Sequence, residues 1–148
     1  MYLAVIPDRA TRGVVGWATA STLGETLVLT AWHQAVVARQ PPPGLVVHSD
    51  RGRQYAGRAF QAALTAAGAV PSMSRTGDCC DNAVAERFFA TLKGERVPDA
   101  AWPDARAAWR DLCAFIEVWY NRQRRHSTLG YRTPAEYETV LRTKGRAA

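Results

Sequence analysis

The stretch LVVHSDRGRQY, residues 45–55, decides how this chain is read. Leu45, Val46 and Val47 make a short continuous apolar run, and His48-Ser49-Asp50-Arg51-Gly52 follows at once. That is the pattern of a buried, parallel strand delivering polar residues from its C-terminal end. Open α/β sheets hold their ligands at that end, so Asp50 is a candidate for chemistry. Taken alone, it reads equally as a turn residue or a helix cap.

Downstream, Phe60, Ala63, Leu64 and Ala67, stopped by Gly68, predict a helix, and Val70 to Ser74 a further short strand. A third helix is expected over Asn82 to Arg96, entered through GDCCDN with Asp81 or Asn82 at its N-cap. On its wheel Val84, Phe88 and Leu92 lie at about 160°, 200° and 240° from Glu86. Asn82 and Lys93 fall within about 40° and 20° of it. One stripe therefore carries an amide, a carboxylate and an ammonium while the opposite face packs. A fourth helix is expected from about Pro103 to Tyr120, with Trp109, Leu112, Cys113, Ile116, Trp119 and Tyr120 as its packing stripe. The basic run Arg122, Arg124, Arg125 and His126 follows directly. Thr133-Pro134-Ala135-Glu136 then supplies a capping box with proline at the first helical position, opening a short helix before a polar tail, TKGRAA.

Upstream, Leu27, Val28, Ala31, Ala35 and Val36 predict a helix over Glu25 to Ala38, ended by PPPG at 41–44. His33 on that helix has no second ligand at the spacing of a metal site and reads as a surface residue. Tyr2 to Ile6 and Val14 to Ala18, separated by the turn-prone PDRATRG, read as a β-hairpin. Because Met1 directly abuts a strand, the expectation is that a further segment belongs upstream.

The chain has 148 residues, enough for one domain with a real core. Its 47% hydrophobic and 22% charged residues exclude a disordered or fibrous protein. Nineteen Lys and Arg against thirteen Asp and Glu give a net charge of +6, which favours a polyanionic partner, nucleic acid first. No apolar run approaches the roughly 18 residues of a spanning helix, and no signal-peptide layout is present, so the expectation is a cytoplasmic, nucleoid-associated bacterial protein with no membrane partner. Cys79, Cys80 and Cys113 are odd in number and lack zinc-site spacing, so they read as ordinary reduced thiols.

The element order brings Asp50, at a strand end, and Glu86, on a helix, to one end of a sheet, with 35 residues between them. LVVHSDRGRQY (45–55), SMSRTGDCCDNAVAERFFATLKGE (72–95) and YNRQRRHSTLGYRTPAEY (120–137) together resemble the insertion-sequence transposases of the two-reading-frame type, whose second frame encodes a retroviral-integrase-like catalytic core. The resemblance spans nearly the whole chain. It implies an α/β, ribonuclease-H-like mixed sheet flanked by helices, and an Asp, Asp, Glu triad with 35 residues between its second and third members. Asp50 then matches the second carboxylate, Glu86 the third, and Lys93 the basic residue seven positions on. It also implies metal-dependent phosphodiester cleavage and strand transfer, in which two divalent ions, Mg²⁺ or Mn²⁺, take hard oxygen ligands.

The family's first Asp sits on a strand upstream of the hairpin, in the middle of the sheet, and this sequence begins after it. The expected fold therefore lacks its first, central strand, and Asp8 falls in the turn after a strand and not at the missing position. Residues 1–120 read as the catalytic core and 121–148 as a basic C-terminal extension. Arg51, Arg53, Arg75, Lys93, Arg122, Arg124, Arg125 and His126 are the expected DNA contacts, since guanidinium pairs bidentately with phosphate. The simpler reading of the 122–126 run is favourable charge at a helix C-terminus. Double-stranded DNA, a second copy of the chain or the upstream segment are the expected partners. Two further functions remain open: a non-catalytic remnant that binds DNA or an intact transposase, and a ribonuclease-H-type nuclease.

Overall fold

The computed structural model describes residues 1–50, 52–73, 83–96 and 102–146. Strands β1 (Tyr2–Pro7) and β2 (Val14–Ala20) pair as one two-stranded sheet. Helix α1 (Glu25–Arg39) follows, then β3 (Val46–Ser49), a one-turn α2 (Arg53–Ala56), α3 (Arg58–Ala66) and β4 (Val70–Met73). Helix α4 (Ala83–Glu95), α5 (Ala105–Cys113), a π-helical segment (Ala114–Tyr120), a 3₁₀ turn (Ser127–Leu129) and α6 (Pro134–Arg146) complete the chain. The residues divide into two compact units, one of Met1–Ile6 and Val15–Thr91, the other of Pro7–Val14 and Leu92–Ala148.

In the first unit, Leu27, Val28, Ala31, Trp32 and Ala35 of α1 pack with Ala4, Ala18, Phe60, Leu64 and Ala69. Gly16 is what lets β2 lie against α1. A Cβ there would stand 2.2 Å from the Ala31 carbonyl oxygen and 2.7 Å from the Ala35 nitrogen, so only a glycine permits this backbone approach. The Trp17 N–H donates to Gln34 Oε1 at 3.2 Å and fixes the same contact. Helix α3 has no cap of its own, because its N-cap is Gly57. Glu25 supplies one from α1: its Oε1 accepts the Phe60 N–H at 2.9 Å, satisfying one of the orphan donors of that helix end.

Strands β3 and β4 pair in parallel, with Val46 opposite Val70 and His48 opposite Ser72, as the apolar run predicts. The expectation of burial on both faces does not hold. Val47 packs against the core, but Val46 is 62% exposed, and Leu45, Val70 and Met73 are exposed too. Side chains alternate across a strand, and among the described residues only one face of this pair is covered. The mixed sheet expected to lack its central strand is seen as two two-stranded sheets, and among the described residues no strand bonds both pairs.

In the second unit, the β1–β2 turn is ordered by Asp8, whose Oδ1 accepts the Ala10 N–H and whose Oδ2 accepts the Thr11 hydroxyl, both at 2.9 Å. Asn121 clamps the far end of that turn. Its Oδ1 accepts the Val14 N–H and its Nδ2 donates to the Val14 carbonyl, both at 2.9 Å. The single helix expected over 103–120 is α-helical only to Cys113 and then changes to π geometry. The inward stripe is Ala108, Leu112, Phe115, Ile116 and Tyr120. Trp109, expected in that stripe, is instead 48% exposed, because the small Ala108 takes the inward position one residue earlier. The capping box is formed as expected: the Thr133 N–H donates to Glu136 Oε2 at 2.8 Å and the Glu136 N–H to Thr133 Oγ1 at 3.2 Å. The helix it opens is longer than expected and takes in the polar tail as far as Arg146.

Candidate active site

Asp50 directly follows β3 and is exposed. Its Oδ1 accepts the Gly52 N–H at 2.8 Å, a local turn that fixes the carboxylate at the C-terminal end of a parallel strand. Beside it the Tyr55 phenol is held above its ordinary pKa, first by burial and then by the negative charge of Asp50. Tyr55 also packs edge-on to Phe60 at 5.6 Å. The preceding His48 shares a 3.1 Å hydrogen bond with Ser72 Oγ, tying β3 to β4 just before the strand delivers Asp50.

Glu86 lies in the first turn of α4, where the helix dipole favours negative charge, and it is exposed. Phe88, on the opposite face of the wheel, is fully buried and meets Phe89 edge-on at 5.4 Å; Leu92 is buried as well. Glu86 on the polar side and Phe88 and Leu92 on the packing side fall as the wheel places them, Val84 is half-buried, and Asn82 lies outside the described residues. Lys93, two turns along the same helix, is exposed in its last turn. Asp50 and Glu86 belong to the same compact unit. Among the described residues no group of three or more His, Cys, Asp or Glu is arranged to hold a metal ion. Both oxygens of Asp8 are engaged in its own turn.

The basic residues divide by environment. Arg53, Arg122 and Arg125 are exposed. Arg124 is half-buried: it pairs with Glu95 at 3.5 Å and lies over the rings of Trp119 at 5.8 Å and Tyr120 at 6.0 Å. His126 is buried, edge-on to Tyr120 at 5.3 Å, with Arg124 Nη1 at 3.4 Å from its Nδ1. Its backbone forms an isolated bridge to Arg132. Of the expected DNA contacts, Arg51 and Arg75 lie outside the described residues, as do Cys79, Cys80, Asp81 and Asn82. Cys113 is a free, half-buried thiol, and His33 is exposed on α1. Sequence reasoning missed Glu25 and Asn121, whose roles lie in bonds to residues 35 and 107 positions away that no local pattern announces.

A parallel strand delivering Asp50 and a helix bearing Glu86 in its first turn, within one mixed α/β unit, are elements of a ribonuclease-H-like kind. The Integrase core domain profile matches residues 1–79, and a second Integrase core domain profile matches residues 67–134. The chain belongs to the integrase core family. It is 41% identical over 138 residues to the transposase for insertion sequence element IS904 of Lactococcus lactis, covering 93% of this chain and 54% of that protein. It is 36% identical over 138 residues to transposase InsF for insertion sequence IS3A of Escherichia coli, covering 93% and 48%. The chain thus spans about half the length of the transposases it matches. Among solved structures, the HTLV-2 integrase catalytic core domain in complex with magnesium aligns with a TM-score of 0.65 at 17% identity, covering 91% of this chain and 82% of that one. The BIV integrase catalytic core domain aligns with a TM-score of 0.61 at 19% identity, covering 96% and 88%. These likenesses carry the fold. No described helix is long and apolar enough to cross a membrane.

Proposed function

We propose that this chain is the catalytic-core segment of a DNA transposase that cleaves the ends of a mobile element and joins them to target DNA. Asp50 and Glu86 act as two of its metal-binding carboxylates. The observation that carries the reading is the placement of Asp50 at the C-terminal end of β3 and Glu86 in the first turn of α4 within one compact unit of an integrase-core chain. Two exposed carboxylates suit Mg²⁺ or Mn²⁺, which prefer hard oxygen donors. When bound, such an ion supplies a Lewis acid at the phosphate and activates the attacking water or 3′-hydroxyl.

The chain's own residues hold and aim. The Gly52 N–H restricts Asp50 to one orientation, and buried Phe88 fixes the rotation of α4 so that Glu86 faces outward. Lys93 offers an ammonium point charge to a phosphate two turns further along. Arg51, Arg53 and Arg75, near the carboxylate motifs, and Arg122 and Arg125, in the basic extension 121–148, supply phosphate affinity independent of sequence. Double-stranded DNA is the partner this charge selects, and a second copy of the chain is the partner for assembly.

The test is Mn²⁺-dependent nicking of labelled element-end DNA. It compares this chain with a form extended upstream by the Asp-bearing strand that the resemblance expects, each alongside its Glu86→Gln variant. The extended form nicks DNA, Glu86→Gln removes the nicking without loss of DNA binding, and the 148-residue chain alone is inactive. Nicking that survives Glu86→Gln refutes the carboxylate assignment. DNA binding without nicking by either form establishes the non-catalytic reading instead.

A further inference from the structure

Tyr131 stands in a conformation its side chain disfavours. Its φ is +58°, directly after Gly130 at +64°. The left-handed region suits glycine and is an outlier for a bulky side chain. The loop around it is tightly bonded. The His126 N–H donates to the Arg132 carbonyl at 3.0 Å, and the Tyr131 and Leu129 N–H groups donate to the His126 carbonyl at 2.9 and 3.0 Å. Leu129, His126, Thr133 and Pro134 are buried on either side of the turn. Tyr131 is nonetheless 69% exposed, more than any other large hydrophobic residue among those described. A rigid turn thus pushes an aromatic ring into solvent at a conformational cost, the situation in which strain points to use.

The surroundings of the ring specify what it meets. Arg122, Arg125 and Arg132 are exposed on the stretch 118–135, while Arg124 is held by Glu95 and the rings of Trp119 and Tyr120. The Arg132 guanidinium lies over the turn, within 3.4 Å of where a Cβ on Gly130 would stand. Arg125 and Arg132 both act on the Glu136 carboxylate, which the Thr133 backbone N–H holds below its ordinary pKa, with those two charges adding. An exposed aromatic framed by arginines is the combination that binds single-stranded nucleic acid: cations draw in the backbone and a base stacks on the ring.

We propose that Tyr131 is a base-stacking contact, presented by the 126–132 turn to an unpaired base at a frayed or single-stranded DNA terminus. This rests on the DNA-binding reading above and adds to it a site that distinguishes opened from fully paired DNA. Stacking accepts any base, because every base has a π-face.

The 148-residue chain, with Tyr131→Gly, Tyr131→Asn, Tyr131→Phe and Tyr131→Trp, is titrated against labelled oligothymidylate and a blunt duplex of equal length. Glycine and asparagine both accept the left-handed backbone, so these two variants remove the ring without disturbing the turn. They melt no lower than the parent, lose on the order of 5- to 150-fold in affinity for the single strand, and keep the parent's affinity for the duplex and its salt dependence. Phenylalanine and tryptophan retain single-strand binding. Parental single-strand affinity in Tyr131→Gly and Tyr131→Asn overturns the proposal and leaves the DNA reading intact. An equal loss on duplex and single strand, or a loss of self-association with no change in DNA binding, also overturns it. A parent chain that binds neither DNA overturns this proposal together with the function it rests on.

Discussion

Replacing Arg122 and Arg125 together by alanine isolates the electrostatic part of the proposed DNA binding. Both side chains are exposed, whereas Arg124 between them is committed to Glu95 and to the rings of Trp119 and Tyr120. If Arg122 and Arg125 each neutralise one phosphate, their loss flattens the slope of log affinity against log salt by about 0.9 apiece, about 1.8 in all. Across a change from roughly 50 to 200 mM salt, the double variant then loses about tenfold less affinity than the parent. Arg124→Ala behaves differently: it leaves the slope unchanged and lowers stability by about 0.5–1 kcal/mol through the ring contacts, its half-exposed ion pair adding little. The assay is fluorescence anisotropy with non-specific duplex over a salt series, alongside urea denaturation of each variant. The reasoning is refuted if the double variant keeps the parental slope, or if Arg124→Ala flattens it as much.

Two further outcomes follow from the first unit. Asp50→Asn brings the Tyr55 phenol back toward its ordinary pKa of 10.0 by removing the charge that adds to burial, read by ultraviolet titration of tyrosinate; a Tyr55 titration unchanged by Asp50→Asn would show that burial alone sets it. Because the folded pKa is raised, the folded chain holds this proton more tightly than the unfolded one, so stability is full below pH 10 and falls as pH rises through the folded value. Gly16→Ala forces a methyl onto the α1 backbone and costs about 1–3 kcal/mol or more in urea unfolding; wild-type stability would mean that β2 does not approach α1 as described.

Most of the elements are legible because their signals are local. The run at 45–47 with Asp50 behind it, the wheel of α4 and the Thr133–Glu136 box each lie within a few residues, and each is found where that pattern puts it. The departures arise where the outcome depends on neighbours. Leu45 and Val46 look fit for burial, yet burial needs an element over both faces of the strand. The change from α to π geometry after Cys113 leaves apolar steps of three and four unaltered, so periodicity cannot announce it. The site is legible in its kinds of residue more than in its geometry. Asp50, Glu86 and Lys93 enter the proposed site through the resemblance, each alone reading as a turn, cap or surface charge, and a run of arginines does not reveal that Arg124 turns inward to aromatic rings while Arg122 and Arg125 are exposed.

The bond between Asn121 and Val14 also fixes the order in which the chain can be finished. The two residues are 107 positions apart, and closing a loop of that length costs about 4 kcal/mol of chain entropy before any contact offsets it. During synthesis, therefore, residues 7–14 emerge early and wait for a partner made near the end, while contacts such as Glu25 with Phe60 can form as soon as α3 leaves the ribosome. The second unit, drawn from both ends of the sequence, has the high contact order that slows folding. A ribosome stalled before residue 121 would release a chain in which the first hairpin has strands but no clasp.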